Sequence, residues 1–123
     1  MRLLLDTHAF LWFVMGDPRL SSAARDAIED PVHETWLSVA SVWEIAIKHS
    51  LGKLTLTEPS PRDPSERFST APHRLTHLLR VNVLPFHHRD PFDRLLVAQS
   101  LTERMSVVSI EAGFDAYGVT RIW

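Results

Sequence analysis

The chain has 123 residues, of which 45% are hydrophobic, 23% charged and 9% aromatic, and its formal net charge is −2. This composition is typical of a packed globular protein, predicted here to be one domain over residues 1–123, and it excludes disordered and collagen-like chains. Because the chain contains no cysteine, disulfides, thiolate-bound metals and cysteine nucleophiles are excluded, and a metal ion would need oxygen or imidazole ligands.

The apolar segments are short. The longest one, residues 9–15, is far below the roughly 20 residues that a membrane-spanning helix needs. The opening residues reach Asp6 directly after Leu3, Leu4 and Leu5, too early for the apolar region of a signal peptide. We therefore expect a cytoplasmic protein that does not associate with membranes.

The first half of the chain is predicted to alternate strands and helices. An uninterrupted apolar run that ends on Asp6 is typical of a strand covered on both faces of a parallel sheet. Gly16 and the proline that follows it end the first helix. The predicted elements are a strand at 3–5, helices over 8–15 and 23–29, a strand at 35–38 and a helix from about 41 to 50.

The second half begins with an irregular segment and then returns to this alternation. The prolines between residues 55 and 72 predict a loop, with one short helix near 66–69. Asp90 and Pro91 form the clearest helix start, an N-cap acid followed by proline at the first helical position. The later predicted elements are a helix over 73–79, a strand or loop at 81–84, a helix from 91 to about 104, a strand at 105–110, a short helix at 112–117 and a strand at 119–122.

This alternation predicts an α/β fold, with a mostly parallel sheet of four to five strands flanked by helices. Ligands of such sheets bind at the carboxyl ends of the strands. The acidic residues in or beside those positions are Asp6, Glu44, Asp90, Asp93 and Glu111. Converging carboxylates raise one another's pKa unless a cation neutralises them, and their oxygens favour Mg²⁺ or Mn²⁺.

Each acid also has a structural explanation. Asp6 and Asp90 are good helix N-caps, Asp93 is favourable in a first helical turn, and Glu111 is ordinary at a strand-to-helix connection. Glu44 is harder to explain in this way, because its helix is apolar on nearly all sides and a buried carboxylate is costly without a partner. The prediction of a metal site therefore depends on the joint placement of these residues.

Four blocks of the sequence resemble a known family. They are LLLDTH at 3–8, SVASVWEIAIK at 38–48, HRDPFDRLL at 88–96 and VVSIEAGFDAYGV at 107–119. In this order they resemble the PIN-domain ribonucleases, and in particular the VapC-type toxins of bacterial and archaeal toxin–antitoxin pairs. The resemblance implies a PIN-like fold and a metal-dependent endoribonuclease.

The resemblance also implies roles for individual residues. By position, Asp6, Glu44 and Asp93 match the acidic metal ligands of the family, and Glu111 matches its fourth acid. That fourth acid is usually an aspartate after a threonine, whereas here a glutamate follows Ser109, so Ser109 is assigned an auxiliary role, as is Asp90. The acids would hold one or two Mg²⁺ ions, with Mn²⁺ as a substitute, that acidify a water for attack on the RNA phosphate.

Basic residues close to these acids are candidates for RNA contacts, with local charge balance as the alternative explanation: Lys48, His88, Arg89 and Arg94. The family resemblance further implies a homodimer and a neutralising antitoxin. The helix over 8–15 carries too many apolar side chains for one buried stripe, so we expect Trp12 and Phe13 to face that partner or a second copy.

Two other functions stay open. A phosphohydrolase built on the strand-end Asp6 is disfavoured, because His8 stands where such enzymes carry their second aspartate. The stronger alternative is a catalytically weak or inactive PIN-like module, with a metal site impaired at Glu111, that acts only by binding a partner protein or RNA.

Overall fold

Strands and helices alternate along the chain in the computed structural model, which describes residues 1–54, 68–87 and 90–123. The strands are β1 (Arg2–Leu5), β2 (Glu34–Ser38), β3 (Ser69–Ala71), β4 (Ser106–Val108) and β5 (Arg121–Ile122). The helices are α1 (Thr7–Met15), α2 (Ser22–Glu29), α3 (Val39–Ser50), α4 (Leu75–Val83) and α5 (Pro91–Glu103), and a short 3₁₀ helix covers Ala112–Tyr117.

The strands form one parallel sheet in the order β3-β2-β1-β4-β5, which confirms the predicted α/β fold. The central strand β1 pairs on one side with β2 and on the other with β4, so that Leu4 lies between Trp36 and Val107. The chain leaves β1 towards one edge of the sheet and later returns to build the other. The strand order therefore reverses at the carboxyl end of β1, where ligands of open parallel sheets bind.

Each face of the sheet has its own apolar core, because successive side chains of a strand point to opposite faces. Leu3 and Leu5 pack on one face with residues of α1 and α2, among them Trp12 and Ile28. Leu4 packs on the other face with the second cluster, whose buried members are Ala71, Leu84, Leu96, Val97, Ala98, Met105, Val107, Phe114 and Val119. The sheet is thus covered on both sides, as an uninterrupted apolar run in β1 predicts.

The helix ends that the sequence marks most clearly are confirmed. Asp90 caps α5, accepting hydrogen bonds from the backbone nitrogens of Phe92 at 2.8 Å and Asp93 at 3.4 Å, with Pro91 at the first helical position. Gly16 ends α1 in the left-handed conformation at φ 65°, where a glycine has no steric penalty. The Asp90 cap and Pro91 thus place Asp93 in the first turn of α5.

Two predictions for the middle of the chain are wrong. Residue 69, expected as the end of a short helix, and residues 70–71, expected as loop, form strand β3, which pairs with β2 from Trp36 to Ser38. Residues 55–67 lie outside the described part of the chain. Residues 81–83, expected as a strand or loop, continue α4. Both differences arise from non-local partners, which local sequence patterns do not report.

Arg94 is the non-local partner of the C-terminal end of α4. Its guanidinium is buried and donates to the carbonyl oxygens of Val81 at 3.0 Å, Leu84 at 3.3 Å and Pro85 at 2.9 Å. It also lies 4.2 Å from the centre of the Phe86 ring. A cation that satisfies carbonyl groups at a helix C-terminus stabilises that end, so Arg94 joins α5 to α4.

The exposed apolar surface does not lie where the sequence predicted it. Trp12 is buried and Phe13 is half-buried against the edge of Phe68, at 5.8 Å between ring centres. The prediction that Trp12 faces a partner is therefore wrong. Exposed apolar side chains lie instead on α3, whose sequence is apolar on nearly all sides, and on α4: Val39, Val42, Trp43, Leu75, Leu78, Leu79 and Val83. Among the described helices, none is both long and apolar enough to cross a bilayer.

Candidate metal centre

Asp6 lies at the carboxyl end of the central strand and is 6% exposed. One carboxylate oxygen caps α1 by accepting a hydrogen bond from the Ala9 nitrogen at 2.8 Å, and the other accepts from the hydroxyl of Ser109. Burial raises the pKa of this carboxyl group, whereas the two hydrogen bonds lower it. Asp6 is therefore both a helix cap and an oriented acidic group at the strand reversal.

Glu44 points inward from α3 and is 9% exposed. The hydroxyl of Thr7 donates to its Oε1, and the Nζ of Lys48, one turn further along α3, lies 3.2 Å from its Oε2. These are the partners that a buried carboxylate requires. Sequence reasoning missed the role of Thr7, although its position directly after the strand-end Asp6 was an available signal.

Asp93 lies in the first turn of α5 and is half-buried. Its pKa is raised to about 7, foremost by burial and then by the negative charges of four other acids, Asp90, Asp6, Glu44 and Glu111. A carboxylate feels such charges only when they are near. The acids that the sequence predicted to meet thus act on one carboxyl group, although they come from separate segments of the chain.

Ser109 and Glu111 follow β4. Ser109 is fully buried, and its hydroxyl donates to Asp6 while accepting a hydrogen bond from the Glu111 nitrogen at 2.9 Å. The Glu111 side chain is exposed, and one of its oxygens caps the 3₁₀ helix by accepting from the Gly113 nitrogen at 3.1 Å. Ser109 therefore connects the two acids, and Glu111 lies at the periphery of the cluster.

The donor set fits a hard divalent cation. Asp6, Glu44 and Asp93 offer carboxylate oxygens, and their mutual repulsion appears in the raised pKa of Asp93. Within residues 1–54, 68–87 and 90–123, no group of three or more acidic, histidine or cysteine side chains is arranged so that it could hold a metal ion. The oxygens of Asp6 and Glu44 are instead engaged by protein donors, including the ammonium group of Lys48.

The basic residues proposed as RNA contacts occupy different positions in the structure. Lys48 lies at the centre through its ion pair with Glu44. Arg94 is 5% exposed and donates to backbone carbonyls, so the expectation that it contacts RNA phosphate is corrected to a structural role. His88 and Arg89 lie outside the described residues.

The parallel sheet with its acids at the carboxyl edge defines an α/β protein with a candidate divalent-metal centre. The sequence profile of the PIN domain matches residues 3–119, and the chain belongs to this family. The matched range includes all five acids, since Asp6 lies near its start and Glu111 near its end. The resemblance inferred from the four sequence blocks is thereby confirmed at the level of the family.

Individual proteins are similar to this chain in sequence or in fold. The chain is similar to ribonuclease VapC16 of Mycobacterium tuberculosis, with 40% identity over 67 residues, and the match spans about half of each protein, 49% of this chain and 48% of that relative. Its fold is similar to VapBC2 from Rickettsia felis bound to a DNA fragment from their promoter, with a TM-score of 0.67, 10% identity and coverage of 98% of this chain and 97% of the other. It is also similar to VapBC-1 from nontypeable Haemophilus influenzae, with a TM-score of 0.64, 13% identity and coverage of 98% and 96%.

Proposed function

We propose that this protein is a Mg²⁺-dependent endoribonuclease that hydrolyses RNA phosphodiester bonds, with Mn²⁺ as a possible substitute. The observation that carries the proposal is the pKa of Asp93, raised to about 7 by burial and by four neighbouring carboxylates. Negative charges that raise the pKa of a half-buried carboxyl group in this way are unfavourable without a cation and are typical of functional sites. Membership of the PIN family and the similarity to a protein named a ribonuclease support the same function.

The protein's own groups would prepare the site in distinct ways. Ser109 and the Ala9 nitrogen orient the carboxylate of Asp6, and Thr7 orients that of Glu44. In the metal-free protein Asp93, with a pKa of about 7, is partly protonated near neutral pH, and it must lose this proton to bind a metal. When bound, a divalent ion neutralises the charge that builds up on a phosphodiester and acidifies the attacking water.

Asp6, Glu44 and Asp93 are proposed as the metal ligands, with Glu111 as a fourth, peripheral acid. Asp90 and Ser109 take auxiliary roles, because Asp90 caps the helix that carries Asp93 and Ser109 binds Asp6. This division follows the geometry, since the proposed ligands are buried or half-buried whereas Asp90 and Glu111 are exposed.

We further propose that the protein acts in the cytoplasm as the VapC-type toxin of a toxin–antitoxin pair, as a homodimer with a cognate antitoxin. The fold neighbours from Rickettsia felis and Haemophilus influenzae are VapBC assemblies, which supports a protein partner. Val42 and Trp43 on α3, 45% and 59% exposed, and the apolar side chains of α4 provide surfaces for such contacts. Light scattering measures the molar mass of the wild type and of Trp43→Ser. The wild type should have the mass of a dimer, and the same mass in Trp43→Ser would contradict a role for this surface.

RNA cleavage by carboxylate variants tests the enzyme. A structured RNA is incubated with wild type, Asp6→Asn and Asp93→Asn in Mg²⁺, in Mn²⁺ and in a chelator. Both variants should lose on the order of 100-fold or more in rate, because even outer-shell changes at metal sites cost 10–100-fold. Asp26→Asn, on the exposed face of α2, is the matched control and should cleave normally. Equal cleavage by all four proteins would contradict the proposal.

One observation favours the alternative of a catalytically weak module that acts by binding. The fourth acid, Glu111, is exposed and engaged as a cap of the 3₁₀ helix. Calorimetric titration with Mn²⁺ distinguishes the two functions. The enzyme should bind Mn²⁺ in a manner that Asp93→Asn removes, whereas an inactive module should show no carboxylate-dependent binding.

A further inference from the structure

A cavity of about 310 Å³ lies directly beside the candidate metal centre, between α1 and the C-terminal end of α3. Its lining includes Thr7 and Lys48, the two residues that hold the carboxylate of Glu44. The cavity and the acid cluster therefore share a wall. A ligand bound in the cavity would therefore lie next to the acids.

The rim of the cavity is positively charged, in contrast to the adjacent acids. It carries Arg19, Lys48 and Lys53. Lys48 is paired with Glu44 at 3.2 Å and Arg19 with Asp17 at 2.7 Å. Lys53 has no carboxylate within ion-pair distance among the described residues, so its charge is available to an anionic ligand next to the acidic centre.

Two flat groups on this rim rest on one buried aromatic ring. The guanidinium carbon of Arg19 lies 4.8 Å from the centre of the Trp12 ring, and the ring of His8 lies 5.5 Å from it. The guanidinium is held in place by Asp17, which accepts from its Nε and Nη2. Arg19 and His8 are thus planar, exposed surfaces in a defined position, the type on which unstacked RNA bases stack.

We propose that this cavity is a nucleotide subsite for single-stranded RNA, where a base stacks on Arg19 or His8 and a flanking phosphate contacts Lys53. The proposal rests on the proposed ribonuclease function and assigns a substrate-binding site to it. The volume lies at the lower end of the range for small-ligand pockets, ~300–1,000 Å³, which suits one nucleotide. Single-stranded RNA is favoured over a duplex, because a paired base has no free face for stacking.

RNA binding measured without cleavage tests the subsite. Fluorescence anisotropy in a chelator compares a labelled 12-nucleotide single strand with wild type, Arg19→Ala, His8→Ala and Lys53→Ala. We expect at least one of the first two variants to weaken binding about fivefold or more, as loss of one stacking contact does. Lys53→Ala should reduce the slope of log K against log salt by about 0.7, the single-strand value for one phosphate.

Arg80→Ala removes an exposed arginine from α4, away from this cavity, and should leave RNA affinity unchanged. A further comparison uses RNAs in which one nucleotide at a time lacks its base. For one of these RNAs, loss of the base should weaken binding to the wild type. The same loss should not weaken binding to the variant that lacks the stacking side chain. Unchanged affinity and salt slope in all three cavity variants would overturn the subsite, as would equal weakening by Arg80→Ala.

Cleavage in Mn²⁺ separates failure of the subsite from failure of the enzyme. If the wild type cleaves RNA and the cavity variants match it in KM and in affinity, the subsite is wrong and the proposed function stands. If the cavity variants lose affinity but no protein cleaves RNA, the subsite is right and the nuclease proposal fails. We expect both to hold, with a raised KM and a nearly unchanged kcat for Lys53→Ala.

Discussion

β1 and α5 each connect two regions of the molecule, and the acidic residues in these two regions have opposite electrostatic surroundings. At the carboxyl end of β1 and the start of α5, Asp6 and Asp93 lie among other acids, and the pKa of Asp93 is raised to about 7. At the other end, Arg2 begins β1 and Glu103 ends α5, where the pKa of Glu103 is lowered, foremost by its hydrogen bond from His77.

The groups around Glu103, here called the Glu103 cluster, are Arg2, Arg74 and His77, and they satisfy this acid without a ligand. His77 is buried, and its Nδ1 accepts a hydrogen bond from the Arg74 nitrogen at 3.0 Å. Its Nε2 therefore carries the hydrogen and donates to Oε1 of Glu103, with 2.9 Å between the two atoms. The guanidinium of Arg2 donates to the carbonyl oxygen of Glu103. Opposite charges and donors therefore surround this acid. The comparison teaches that the raised pKa of Asp93, caused by burial and by repelling acids, marks a candidate ligand site, whereas the partners that lower the pKa of Glu103 satisfy that acid without a ligand.

The largest effect that separates the two ends should come from metal addition. Mn²⁺ at 100 times its dissociation constant should stabilise the wild type by about 2.7 kcal/mol at pH 8. The effect should be smaller at pH 5.5, because the carboxyl group of Asp93, with its pKa of about 7, must lose its proton to bind a metal. Thermal unfolding with and without Mn²⁺ measures both values.

In the same experiment, Asp93→Asn should remove most of the stabilisation, whereas His77→Phe should retain it. Equal stabilisation of the wild type and Asp93→Asn would show that the ion binds elsewhere.

The next effect concerns the metal-free protein. Because the folded-state pKa of Asp93 lies above its ordinary value, stability should fall as pH rises from about 4 to about 7 and then level off. Asp93→Asn removes this loss and should stabilise the protein at pH 8 by about 2 kcal/mol, roughly half of the full conversion of the shift, since water screens a half-buried group. Urea unfolding in a chelator at pH 5 and pH 8 measures the difference. A variant less stable than the wild type at pH 8 would contradict it.

A substitution among the groups around Glu103 should lower the free energy of unfolding, in contrast to Asp93→Asn. His77→Phe removes the donor to Glu103 and the acceptor for the Arg74 nitrogen, and should destabilise the protein by about 1.5 kcal/mol. RNA cleavage below the unfolding transition should stay within twofold of the wild type. Urea unfolding and a cleavage assay on the same preparation check this pair of results, and a large loss of cleavage by the folded variant would mean that the two ends are coupled.

The smallest effect should come from Lys48, whose ammonium group is paired with an acid of the candidate metal centre. Lys48→Met removes the ammonium group 3.2 Å from Glu44. An ion pair of this i,i+4 type contributes about 0.3–0.5 kcal/mol, so Mn²⁺ affinity should rise about twofold when the competing charge is removed. Calorimetry at low salt is sensitive enough, and lower affinity in the variant would show that Lys48 assists metal binding.

Local signals account for what the sequence could predict at these sites. Asp6 and Asp90 were recognisable because a strand-end acid and an Asp-Pro helix start depend only on neighbouring residues. Glu44 was singled out because its helix is apolar, yet Val42 and Trp43 beside it are exposed and Glu44 itself faces inward. The residue was identified, but the direction of the helix was not.

Contacts between distant segments account for what could not be predicted. Strand β3 forms because β2 offers an unpaired edge to residues 69–71. Arg94 turns inward because α4 presents its last carbonyl oxygens to it. Thr7 contacts Glu44 across 37 residues of sequence. In each case the deciding partner comes from another part of the fold, which short-range periodicity does not report.

X-ray diffraction from Mn²⁺-soaked crystals at the manganese absorption edge would test the central claim most directly. The account predicts an anomalous peak at the carboxyl end of β1, or two if two ions bind, with carboxylate oxygens of Asp6 and Asp93 about 2.1 Å from an ion. A structure at saturating Mn²⁺ with both carboxylates ordered and no ion between them would contradict it.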